Sequence, residues 1–300
     1  MERIKVFKGI YCPSITPITN EGKVDFEVWS QHLNFLIENG IDGILILGSI
    51  GEFYAFDEQE KRDIIDFAVK EIAGRAKVLV GTGNTRLNDT INLTKHTQDS
   101  GADGAVVVSP YYFGPSEAAA EQYFGKLAEA VDLPLILYNF PDRTGSDLSP
   151  ELVGKLSKAH SNIVGIKDTV DNISHTRGVI AATDDSFAVF SGFDEYYFPN
   201  RIAGGVGIIS GLTNVFPDLF AEMHRTIESG EINTAKRLAS DVSELMQIYA
   251  IGDQFIHTIK TAVKSRYLSD LNTATREPFI ELTDEEQESV EKIVEKFGRK

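Results

Sequence analysis

Asn39-Gly40-Ile41-Asp42-Gly43 leads into the apolar run Ile44-Leu45-Ile46-Leu47 and stops at Gly48. The same order returns at Ser100-Gly101-Ala102-Asp103-Gly104, which opens Ala105-Val106-Val107-Val108 before Ser109. A third copy, Gly204-Gly205-Val206-Gly207, runs into Ile208-Ile209 and Ser210. Each reads as a helix closed by a glycine in the left-handed region, then a tight turn, then a short strand. Short continuous apolar runs rich in branched side chains belong to strands covered on both faces, which is the pattern of a parallel sheet.

Further runs lie at Val78-Leu79-Val80, Leu135-Ile136-Leu137, Ile163-Val164-Gly165-Ile166 and Phe187-Ala188-Val189-Phe190. With Gly9–Ile18 as a first strand the count is eight, and from the second onward they recur roughly every 20–33 residues. Amphipathic helices fill the gaps. Asp57-Glu58-Gln59-Glu60 reads as a capping box, followed by the stripe Ile64, Ile65, Ala68, Val69 and Ile72. Asp25 caps a helix that buries Trp29, Leu33, Leu36 and Ile37 before Gly40 stops it. Eight such units predict an α/β fold, a closed (β/α)8 TIM barrel, with a doubly wound open sheet as the competing arrangement. From about His224 the strand signal stops and helical patterns run on to Lys300. The expected organisation is a barrel over residues 1–223 that carries the active site, and a C-terminal helical extension over 224–300.

The 300 residues carry 29 basic and 45 acidic side chains, a net charge of −16. Such a surface repels polyanions, so no nucleic-acid partner is expected. Cys12 is the single cysteine. It has no internal disulfide partner, which suits a reducing cytoplasm. The opening MERIKVFKGIYCPS lacks the apolar core of a signal peptide. No run approaches the roughly 20 apolar residues of a membrane span, so no membrane partner is expected either.

Reactive groups of such a barrel gather where the strands end. Lys167 follows Ile163-Val164-Gly165-Ile166 directly. Desolvation there lowers an amine's pKa, and a neutral amine can attack a ketone to form an imine. The plainer alternative is a strand-end lysine that reaches water or pairs with Asp168. Tyr138 and Tyr112 end neighbouring strands, where a phenol can shuttle protons beside the lysine or simply be half-buried β-favouring bulk. Gly48-Ser49-Ile50-Gly51 offers backbone N–H groups to a carboxylate, although an ordinary turn looks alike. The six histidines show no HxH or HExxH spacing, so no metal is expected.

Several of these pieces occur in a familiar order. Gly48-Ser49-Ile50-Gly51-Glu52, Pro110-Tyr111-Tyr112, Tyr138-Asn139-Phe140-Pro141 with Thr144-Gly145, Gly165-Ile166-Lys167-Asp168-Thr169 and Gly207-Ile208-Ile209-Ser210 resemble the dihydrodipicolinate synthase / N-acetylneuraminate lyase superfamily. The resemblance implies class I, pyruvate-dependent aldolase chemistry without an external cofactor, on a homotetramer. It implies Lys167 as the imine-forming lysine, Tyr138 as general acid/base, and Ser49 with Tyr112 as the rest of a proton relay. Tyr112 or Tyr111 would be presented across a subunit interface. Backbone around Ser49 and Ile50 would hold the pyruvate carboxylate, and backbone near Ile209 would face the keto-acid end.

The second substrate is argued from conflicting positions. Ile50 replaces a hydroxyl residue usual in dihydrodipicolinate synthases, whereas Arg143 matches their carboxylate-binding arginine. Gly192-Phe193-Asp194-Glu195 resembles the polyol-binding segment of sialic acid lyases. The stretch from Gly165 to Arg177 most resembles bacterial 2-dehydro-3-deoxy-sugar-acid aldolases. The expected function is cleavage of such an acid to pyruvate and an aldehyde. Dihydrodipicolinate (4-hydroxy-tetrahydrodipicolinate) synthase and N-acetylneuraminate lyase are the alternatives.

Overall fold

The computed structural model describes residues 7–276, 278 and 280–298, so the extreme ends of the two expected regions lie outside the described residues. Strands β1 (Gly9–Pro13), β2 (Gly43–Ile46), β3 (Lys77–Gly81), β4 (Gly104–Val108), β5 (Leu135–Asn139), β6 (Ile163–Asp168), β7 (Ala188–Ser191) and β8 (Gly207–Ile209) close into a barrel in sequence order. Between them run α1 (Phe26–Glu38), α2 (Glu58–Ile72), α3 (Leu87–Asp99), α4 (Glu117–Ala130), α5 (Pro141–Thr144), α6 (Pro150–Ala159), α7 (Ile173–Ala182) and α8 (Tyr197–Ala203). After β8 come α9 (Pro217–Glu228), α10 (Ile232–Leu245), α11 (Phe255–Arg266) and α12 (Asp284–Gly298). The closed barrel expected from the eight apolar runs is therefore the one that forms.

Local chemistry explains the boundaries. Asp25 accepts from Val28 N at the start of α1, and Asp57 with Glu60 forms a complete capping box on α2. Gly40, Gly101 and Gly204 have φ of 89°, 85° and 106°, so all three repeats turn through the left-handed region where a side chain is costly. The first strand is shorter than expected. It ends at Pro13 rather than Ile18, which instead makes an isolated antiparallel bridge to Val24. Proline cannot donate to a ladder, and a second one at position 17 keeps the following stretch irregular.

By its contacts the chain divides into two compact units, residues 1–9 with 77–209 and residues 10–76 with 210–300. In the first, β4, β5, β6 and β7 bury Ala105, Val107, Leu135, Leu137, Ile163, Ile166 and Val189 against a helical layer that includes Phe124, Leu127 and Leu156. This cluster defines the outer, helix-facing side of the sheet. In the second, Tyr11 and Cys12 of β1 pair with Gly43 and Ile44 of β2. A Cβ on Gly43 would lie only 2.0 Å from the Tyr11 ring, so the glycine is what admits that ring.

Candidate active site

The register of β6 decides where its lysine points. Leu135 is opposite Ile163, but Ile136 is opposite Gly165, so Val164 is an extra residue in the ladder. Such a bulge inverts the face taken by every residue beyond it. Without it, Ile163 and Ile166 would fall on opposite faces; with it, both join the outer cluster. Lys167 is then an inner residue, between outer neighbours Ile166 and Asp168. Tyr138 is its register partner on β5 and follows the outer Leu137, so it too is inner.

Both residues are 5% exposed, and Lys167 Nζ lies 4.3 Å from the centroid of the Tyr138 ring. An amine over a phenol ring at that distance is attracted by the ring's negative face. Lys167 stands inside the strand, one residue from its end, rather than just after it as the sequence suggested. It does not pair with Asp168, because alternation sends that carboxylate outward.

Outside the sheet Asp168 is enclosed. Its Oδ2 accepts from Thr176 Oγ1 at 2.7 Å and lies 3.0 Å from His175 Nδ1, while Oδ1 accepts from Asn139 Nδ2 at 3.2 Å. His175 Nε2 lies 3.1 Å from the Leu148 carbonyl oxygen and 3.4 Å from Asp147 Oδ1. Asn139 closes a ring by donating to Asp147 Oδ1 at 2.8 Å. Both imidazole nitrogens thus face acceptors, an environment that suits only the doubly protonated ring. Burial works against the charge, but the bonds to Asp147 and Asp168 outweigh it and push the His175 pKa up to about 10. The same bond to His175 leads the causes that hold Asp147 below the usual aspartate range.

Other expected residues fall in different settings. Tyr112 does not end β4, which stops at Val108. It sits in the following loop at φ 76° and is 87% exposed, against an 83% exposed Phe113. Arg143 is exposed on α5. After β7, Gly192 is tightly confined: a Cβ there would come within 1.8 Å of Thr169 Oγ1. Asp194 is buried and Glu195 exposed on the next 3-10 turn. Ile209, the last residue of β8, is fully buried. The buried hydroxyls of Ser109, after β4, and Thr169, after β6, have no hydrogen-bond partner among the described residues.

In the other unit, Ser49 and Ile50 occupy a turn bracketed by left-handed non-glycine residues, Leu47 at φ 53° and Glu52 at φ 57°. Backbone held in this region costs about 1–3 kcal/mol per residue and persists only where its surroundings enforce it. Gly51 is closely confined there, since a Cβ would approach the Ser14 carbonyl oxygen at 3.0 Å. Glu52 supplies the enforcement. Its fully buried carboxylate accepts from Lys260 Nζ on α11 at 2.6 Å and from Arg276 N at 2.9 Å. Burial drives the Lys260 pKa down, against the pull of Glu52. Arg276 then forks onto Glu60 of α2. Sequence reasoning missed Glu52, Lys260, Asp147 and His175. The only local sign was a histidine one helical turn into the segment that follows Asp168.

No group of three His, Cys, Asp or Glu among the described residues could hold a metal ion. No helix among them is long and apolar enough to cross a membrane.

An eight-stranded parallel barrel with an inward lysine and tyrosine at its strand ends has the form of a barrel enzyme. The chain belongs to the dihydrodipicolinate synthetase family, whose pattern it matches over residues 6–297. It is 37% identical to Escherichia coli K12 YagE over 266 residues, 88% of each chain, and YagE bears the name of a 2-dehydro-3-deoxy-D-gluconate aldolase. It is 34% identical to a 4-hydroxy-tetrahydrodipicolinate synthase of Syntrophus aciditrophicus over 295 residues, 98% of this chain and 99% of that one. The crystal structure of E. coli YagE in complex with pyruvate superposes with a TM-score of 0.94 at 34% identity, covering 97% of this chain and 98% of that one. The protein is accordingly an enzyme of this family's lyase class, whose members use a pyruvate imine on a lysine and need no external cofactor.

Proposed function

We propose that the protein is a class I aldolase that cleaves a 2-dehydro-3-deoxy sugar acid to pyruvate and an aldehyde, with the imine on Lys167. The observation that carries this reading is the buried Lys167 amine set 4.3 Å from the ring centroid of Tyr138, on adjacent strands in register. The neutral amine attacks the C2 ketone of the sugar acid, Tyr138 protonates the departing hydroxyl, and water leaves to give a protonated imine and the Tyr138 phenolate. Tyr138, as phenolate, takes the C4 hydroxyl proton. The C3–C4 bond breaks, its electron pair passes to the imine nitrogen as an enamine, and the aldehyde departs. Protonation of the enamine carbon and hydrolysis release pyruvate and restore the lysine.

Ser49 and Tyr112 complete the proton relay in this reading, and backbone at Ser49 and Ile50 receives the pyruvate carboxylate. Backbone near Ile209 faces the keto-acid end. The segment Gly192, Asp194 and Glu195 receives the hydroxylated tail. The exposed Tyr112–Phe113 pair supports a homotetramer in which Tyr112 is handed to a neighbouring copy. Cytoplasmic residence, a barrel over residues 1–223 carrying the site, and a helical extension over 224–300 belong to the same proposal. Arg143 favours a second reading, condensation of pyruvate with aspartate semialdehyde, since a guanidinium forks onto a carboxylate.

Incubation with pyruvate and borohydride tests the imine: the expected adduct is on the peptide containing Lys167, and Lys167→Ala loses both adduct and turnover. A panel of 2-keto-3-deoxy acids assayed for pyruvate release then defines the substrate. Label on another lysine, or near-normal turnover by the alanine variant, rejects the mechanism.

A further inference from the structure

The residues that follow the two inner groups are tied together on the outer face. Asn139 follows Tyr138 on β5, and Asp168 follows Lys167 on β6; they are register partners and share a hydrogen bond. The ring Asn139–Asp147–His175–Asp168 fastens both strand ends to the loop before α6 and to α7. All four of its links meet a carboxylate, and bonds to a charged group are roughly twice as strong as neutral ones. The side chain of His175 is 8% exposed, that of Asp168 is 0% exposed, and that of Asp147 is 48% exposed. His175 is the one cation in the ring, set between two carboxylates. Neither it nor Asp147 reaches the inner face.

We propose that His175 is a positioning residue for the Lys167–Tyr138 pair, its imidazolium closing the ring that holds the ends of β5 and β6 in the spacing that proton transfer requires. This inference rests on the assignment of Lys167 as the imine-forming lysine. Reacting groups must stay within a few tenths of an ångström of productive geometry, and a misplacement of about 1 Å costs about 100-fold in rate. Losing the imidazolium leaves Asp168 buried with one fewer donor and frees the two strand ends to shift.

The test needs pyruvate alone. Once the imine forms, a base removes a proton from the pyruvate methyl group, so deuterium exchange into that methyl group in D2O reports the lysine and its proton acceptor without any acceptor aldehyde. Exchange kcat, pyruvate KM and Tm are measured for the wild type, His175→Gln, Asp147→Asn and Leu156→Ala, the last a core truncation in α6 outside the ring. The expected result for His175→Gln is an exchange kcat lower by about 10–100-fold with pyruvate KM changed less than about threefold. Asp147→Asn, a change at a half-exposed carboxylate, lowers kcat less but in the same direction and serves if His175→Gln does not fold. Leu156→Ala lowers Tm and keeps kcat. Normal exchange kcat in both ring variants, or an equal loss in Leu156→Ala at equal Tm, overturns the proposal. Borohydride labelling of the wild type separates the two layers: label at Lys167 with unimpaired ring variants rejects only the role of His175, whereas label elsewhere rejects the lysine assignment and this inference with it.

Discussion

Tyr138 illustrates how little separates a structural tyrosine from one proposed to work in catalysis. A phenol at the end of a strand is β-favouring bulk by default. Here it is buried, faces inward, and has a lysine ammonium or amine over its ring at 4.3 Å. Removing the hydroxyl alone keeps the ring that packs beneath the lysine. Tyr138→Phe is therefore expected to lower turnover about 10²–10⁴-fold, the usual worth of a general acid/base, with little effect on pyruvate affinity. Steady-state kinetics on the substrate found in the panel, alongside a Tm measurement, checks this. Turnover within a few-fold of wild type would remove the phenol from the relay.

Among elements, the turn after β2 depends on a helix that follows it by most of the chain. Glu52 holds a left-handed backbone, and its carboxylate is met by Lys260 of α11, 208 residues away in sequence. Each charge is buried and needs the other. Removing one partner of such a pair leaves an uncompensated buried charge and costs about 3–5 kcal/mol. Lys260→Met should lower Tm by roughly 5–15 °C, given the usual conversion for large domains. Glu52→Gln combined with Lys260→Met should recover part of that loss, since the double variant strands no charge. Thermal unfolding of the wild type and both variants is the measurement; a Lys260→Met protein that melts with the wild type, or a double variant no better than the single, contradicts the account.

For the whole molecule, the relevant quantity is charge. A net −16 disfavours a second substrate carboxylate unless a local cation overrides it. Asp194 is buried past β7, where it suits hydroxyl donors, and Arg143 is exposed on α5, where it suits an anion. The two residues therefore predict opposite acceptors. With the polyol reading, Asp194→Ala weakens kcat/KM for a 2-keto-3-deoxy sugar acid, and Arg143→Ala matters less. Efficient wild-type condensation of pyruvate with aspartate semialdehyde, abolished only by losing Arg143, would make the synthase reading the correct one.

Much of this architecture is local and so was legible in the chain. The helix stops at Gly40, Gly101 and Gly204, the caps at Asp25 and Asp57, and the apolar strands between them each depend on a few neighbouring residues. Eight such units in succession predict a parallel α/β fold and favour a closed barrel over an open sheet, and they point to Lys167 and Tyr138 as strand-end groups. What the chain could not show is register. Whether Lys167 looks inward or outward rests on the single extra residue at Val164, and that bulge exists only when β6 is laid against β5. Likewise His175 meets Asp168, and Lys260 meets Glu52, only once strands and helices have packed. Periodicity records which residues prefer to be buried; which face they share, and which charges they meet there, is settled when distant segments pair.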